Sequence, residues 1–119
     1  MPRLTAYNDG VLRIYRELER KTDFNAKRNV KDLSNMEFIV KLAFDECSKR
    51  TQDMEFAEQS GFSLSMKVRT RYMKEVQAKH KAVIGNSLYE ISYMDKAENE
   101  MYLYLEYVRE LEEVSNGPR

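Results

Sequence analysis

The chain has 119 residues, and its 20 Lys and Arg residues balance 20 Asp and Glu residues to a formal net charge of zero. That length holds one domain around one core, and the charge balance argues against a protein built to neutralise nucleic-acid phosphates. With 42% hydrophobic and 34% charged residues, the chain reads as globular with a small core. No apolar run is long enough for a transmembrane helix, MPRLTAYNDG lacks the apolar stretch of a signal segment, and Cys47 has no second cysteine to pair with. These features predict assembly in a cytosol, with no membrane partner.

In chain order, Val11 to Glu19 (VLRIYRELE) opens with β-branched and aromatic residues, which favours a strand over the helix its second half would also permit. Residues 20–35 start as RKTDFNAKRNV, polar and basic with the turn formers Asp23, Asn25 and Asn29, and predict a variable exposed loop. From Met36 to Phe44 the side chains alternate. Met36, Phe38, Val40, Leu42 and Phe44 are expected on one buried face, with Glu37 and Lys41 opposite. Asp45 or Ser48 then caps a predicted helix over Glu46 to Ser60, with Gly61 as its left-handed terminator. The apolar stripe of Cys47, Met54, Phe56 and Ala57 is thin, which suits a helix lying on a sheet.

Alternation is strongest in FSLSMKVRTRY, Phe62 to Tyr72. Phe62, Leu64, Met66, Val68 and Tyr72 are expected inward, while Ser63, Ser65, Lys67, Arg69 and Arg71 are expected outward. Lys81 to Ile84 and Leu88 to Tyr93 follow as short strands joined at Gly85-Asn86, a pair able to take the positive φ of a tight turn. EMYLYLEYV, Glu100 to Val108, closes the series. Met101, Leu103, Leu105 and Tyr107 share one side, with Tyr102, Tyr104 and Glu106 on the other. Residues 110–119 are predicted to be a frayed tail. The expected fold class is α+β, a small antiparallel β-barrel or sandwich with one packed α-helix. It forms one domain over residues 1–119, with its core at 36–108.

The zero net charge hides a division along the chain. From Phe62 to Ile84, Lys67, Arg69, Arg71, Lys74, Lys79 and Lys81 face only Glu75. From Asp95 to Glu113 acids dominate, Glu98, Glu100 and Glu106 among them, against Lys96 and Arg109. Flanks of opposite sign suit head-to-tail association of copies. Neighbouring strands with solvated charges would carry the same pattern.

His80 is the single histidine and reads as a strand-entry residue, Cys47 reads as a small buried hydrophobe, and the four glycines form no phosphate-binding loop. Without an acid–base, nucleophile or metal constellation, the expectation is a protein that is not an enzyme and takes no cofactor. Tyr72, Tyr89, Tyr102 and Tyr104 beside a basic row keep an OB-like nucleic-acid-binding module as an alternative.

Six segments in succession carry a resemblance: EFIVKLAF, the frame Arg50-x-x-Asp53-x-x-Phe56-Ala57-x-x-x-Gly61, VRTRY at Val68 to Tyr72, HKAVIG at His80 to Gly85, LYEIS at Leu88 to Ser92, and EMYLYLEYV. At these spacings the chain from Met36 to Val108 resembles the head–tail joining proteins of long-tailed bacteriophages, also called head-closure or stopper proteins. The resemblance implies a β-barrel with one helix, in a ring of six or twelve copies in the virion neck, assembled in the host cytoplasm. Its implied partners are copies of itself, the portal and adaptor proteins of the connector, a tail-completion or terminator protein, and packaged DNA met without sequence specificity. Its implied role is to close the capsid exit channel after packaging and to dock the tail. A tail-completion or terminator ring subunit is the alternative within the virion.

Two site expectations follow. Lys67, Arg69 and Arg71 of one subunit are expected to approach Glu98, Glu100 and Glu106 of its neighbour. Lys21, Lys27, Arg28 and Lys31 are expected on a loop that reaches an adaptor or the channel.

Overall fold

Alternating apolar residues build the strands in the predicted succession. The computed structural model describes residues 7–18 and 35–111. They form β1 (Gly10–Glu17), β2 (Met36–Cys47), α1 (Thr51–Ser60), β3 (Met66–Arg71), β4 (Lys81–Ile84), β5 (Ser87–Ala97) and β6 (Glu100–Glu110). Every ladder is antiparallel, and the strands close into a barrel in the order β1-β2-β3-β6-β5-β4, with β4 returning to β1. Closure settles the choice between barrel and sandwich in favour of the barrel.

The interior is filled by residues pointing in from every wall, including Leu12, Ile14, Leu42, Phe44, Val68, Ala82, Ile91, Met101, Leu103 and Leu105. Val76, on the segment between β3 and β4, is buried in the same cluster, with Tyr72 and Met73 packed against it. A second cluster lies outside the wall, under the helix. There Ala57, Leu64 and Tyr104 are buried together, flanked by Phe56, Phe62 and Tyr102. β6 is therefore covered on both sides, Met101, Leu103 and Leu105 by the barrel interior and Tyr102 and Tyr104 by α1. Val83, Leu88 and Leu111 make a third cluster with Tyr15 and Met36.

Bulges correct part of the predicted alternation. β2 pairs Val40 with Ile14 but Phe38 with Tyr15, so Ile39 is an extra residue. One inserted residue reverses the faces beyond it. Ile39 packs on the core, while Phe38 is 51% exposed and meets Tyr15 edge-on at 5.7 Å between ring centroids. A second irregularity between Ile91 and Tyr93 leaves Tyr93 exposed and Met94 against the core.

The helix is shorter than expected, because β2 continues through Asp45, Glu46 and Cys47 to bond with β3. Its N-cap is Arg50, not Asp45 or Ser48. An arginine side chain has no acceptor to offer, so the end is held by the third helical residue: the Asp53 carboxylate accepts the Arg50 backbone N–H at 3.0 Å. Of the expected stripe, Ala57 is buried and Met54 is 43% exposed.

Gly61 terminates α1 as predicted, at φ 86° and ψ 20°. Gly61→Ala is expected to cost about 1 kcal/mol, from the steric penalty of a Cβ in the left-handed region. Urea denaturation of the purified variant measures it, and a cost below a few tenths would contradict the cap geometry.

β3 is also shorter than the Phe62 to Tyr72 alternation predicted. Phe62 and Leu64 turn toward α1 instead of continuing the ladder. At the far end, β6 runs through Glu110 and Leu111 is buried, so those two residues are not part of a frayed tail. Residues 112–119 lie outside the described residues. No helix among the described residues is long and apolar enough to cross a membrane.

Candidate assembly surface

The basic row of β3 divides into three environments. Lys67 points out of the barrel but beneath α1, where it is 7% exposed. Its ammonium donates to both carboxylate oxygens of Asp53 at 3.2 Å, and it stands 5.4 and 5.2 Å from the ring centroids of Tyr102 and Tyr104. The Tyr104 hydroxyl donates to the same carboxylate at 3.4 Å.

Burial pushes the Asp53 carboxyl up, but the Arg50 N–H and the Lys67 ammonium outweigh it and hold the group below its usual range. Burial likewise pulls the Lys67 ammonium down, and the Asp53 partner more than restores it. The outward, solvated Lys67 expected from the alternation is thus corrected. A helix covers that part of the wall.

Arg69 lies between two acids of its own chain. It donates to Asp45 at 2.5 Å and to Glu100 at 3.3 Å, and its guanidinium lies 5.1 Å from the Tyr7 ring centroid. Tyr7 donates its hydroxyl to Glu100 at 2.6 Å, and burial followed by this bond pushes the phenol up to about 12. Asp45 accepts the Asn8 N–H at 2.7 Å, which with Arg69 holds its carboxyl below the usual carboxylate range. The network ties the segment before β1 to β2, β3 and β6.

Arg71 is the exposed cation of the row. It lines an open cleft of about 470 Å³ with Tyr7, Lys41, Leu42, Ala43, Asn99 and Glu100. Among the expected acidic partners, Glu98 is exposed in the β5–β6 turn at φ 60°. Glu100 is the acid already bound by Arg69 and Tyr7, and Glu106 accepts the Ser92 hydroxyl at 3.2 Å. Three of the six expected intersubunit residues, Lys67, Arg69 and Glu100, therefore form ion pairs within one chain. Lys21, Lys27, Arg28 and Lys31 lie outside the described residues.

Alternation placed Lys41 opposite the β2 core face, where it is exposed, but only the fold puts it at the cleft. Tyr7 was missed because it precedes the first predicted strand. His80 accepts the Gln77 N–H through Nδ1 at 3.0 Å and ends the turn before β4. Burial, then the nearby Arg16 and Lys81 charges, depress its pKa. Cys47 is half-buried at the end of β2, and burial pushes its thiol up. No group of three or more His, Cys, Asp or Glu residues that could hold a metal ion occurs among the described residues.

The outer wall also carries large apolar side chains. Val11, Phe38, Met54, Tyr93, Tyr107 and Val108 are each at least 40% exposed, and they come from β1, β2, α1, β5 and β6. Comparison with protein-family models and with curated protein sequences gives no match.

Proposed function

We propose that this chain is a structural subunit of the head–tail connector of a long-tailed phage. In this reading it rings with copies of itself, closes the DNA exit channel after packaging and presents the surface on which the tail docks. One observation carries the proposal: the segments of the resemblance occupy successive elements of one closed barrel. EFIVKLAF lies in β2, the Arg50 to Gly61 frame is α1 with both caps, and VRTRY ends β3. HKAVIG enters and fills β4, LYEIS lies in β5, and EMYLYLEYV lies in β6.

A six-stranded barrel whose helix follows β2 counts against the OB-like alternative, a five-stranded fold.

Particles assembled without this chain test the proposal. The expected result is packaged heads that lose their DNA and carry no tails, seen by electron microscopy and by nuclease sensitivity of the packaged DNA. Infectious tailed particles would overturn it. Heads that keep their DNA beside tails of uncontrolled length would instead identify a tail-terminator subunit.

A further inference from the structure

Two stretches of strand edge have no backbone partner among the described residues. β2 bonds to β1 along Met36 to Phe44 but meets β3 only from Phe44 to Cys47. The Thr70 hydroxyl takes the Ala43 carbonyl at 2.6 Å, and from Met36 to Ala43 no backbone bond is made on that side. β5 meets β4 only from Ser87 to Glu90, and Ile91 exchanges backbone bonds with Lys79 and His80. Beyond it, Ser92 to Ala97 bonds to β6 alone. Rows of unpaired N–H and C=O groups are templates for another strand.

We propose that the β2 edge of one copy receives the β5 edge of a second copy, with Lys41 placed opposite Asp95. The pairing rests on the ring reading above and specifies how its neighbours join. Lys41 lies outward beside the inward Leu42, and Asp95 lies outward beside the core-facing Met94; both are exposed, and neither is in an ion pair among the described residues. Adjacent strands of one sheet point matching residues to the same face, so the two charges can meet across the new ladder. Lys96 does not compete, because its ammonium is drawn 4.8 Å above the Tyr72 ring.

The cleft of about 470 Å³ beside Lys41, Leu42 and Ala43 gives an incoming strand room, and Arg71 adds a second cation there. Because the two edges are different, the contact is head-to-tail, the kind that closes into a ring when the rotation permits. That both complementary edges belong to the same chain favours a second copy over a foreign strand.

Disulfide capture tests it. Full-length Lys41→Cys and Asp95→Cys proteins are made in a Cys47→Ser background, mixed, oxidised and run on non-reducing gels. Paired strands bring Cα atoms within disulfide reach, so the mixture is expected to give roughly fivefold more covalent dimer than Lys41→Cys mixed with Glu55→Cys. Equal yields would overturn this pairing of edges. The particle experiment decides the connector reading separately: tailless, leaking heads together with equal yields would leave the ring and remove only this contact.

Discussion

Lys67→Met is expected to destabilise the fold by about 3 kcal/mol, because it leaves the Asp53 carboxylate buried without its cation. The value sits at the low end for a broken buried pair, since Asp53 keeps its bonds from the Arg50 N–H and the Tyr104 hydroxyl. For a domain of this size that corresponds to a fall in Tm of about 15 °C. Removing both charges in Asp53→Leu/Lys67→Met should recover most of the loss, leaving about 1 kcal/mol for the missing contact to the Arg50 N–H. Thermal melts of the two variants decide the point. A single variant within 1 kcal/mol of wild type would show that the pair does not pin the helix.

The pH dependence of the same pair has a defined sign. Asp53 is depressed in the folded state, so its contribution is present above the unfolded pKa near ~3.9 and is lost as pH falls through the folded value. Lys67 is raised, so its contribution is full below the unfolded pKa near ~10.4 and is lost as pH rises through the folded value. The gap between wild type and Lys67→Met should be widest between about pH 4 and 10 and should narrow in acid, where a buried neutral Asp53 no longer needs a cation.

Leu103→Ala is expected to cost about 3.5 kcal/mol. Leu103 is wholly inaccessible at the middle of β6, and the closed wall around it cannot collapse into the space it would leave. Met54→Ala, at an exposed position of α1, should cost less than 0.5 kcal/mol. The urea midpoints of the two variants, compared at unchanged slope, report the difference directly. Similar costs for both would mean that α1 is held by an apolar stripe through Met54 and not by Ala57, Phe56 and Asp53.

Much of the barrel was legible because a strand with one buried face writes its period into the chain. Leu42 and Phe44, and Met101, Leu103 and Leu105, all lie where alternation put them. Gly61 and Gly85 were legible for another local reason, since backbone with positive φ favours few residue types. Phe38 was not legible. An extra residue at Ile39 reverses its face, and a bulge depends on how two strands meet, which neither strand records alone.

Lys67 failed as an exposed cation because of what lies above it. Alternation told which side of β3 it takes, but only packing showed that α1 covers that side and brings Asp53 within 3.2 Å. Arg69 differs from Arg71 for the same reason. Asp45 and Glu100 come from strands on either side of β3, and their meeting at Arg69 is a product of registers.

By itself the sequence determined the elements, their order and most inward residues, because these follow from the side-chain repeat and from turn chemistry within a few neighbours. Tertiary structure alone decided which charges remain free for a partner and which edges remain open. Both depend on segments far apart in the chain arriving, or failing to arrive, at the same place.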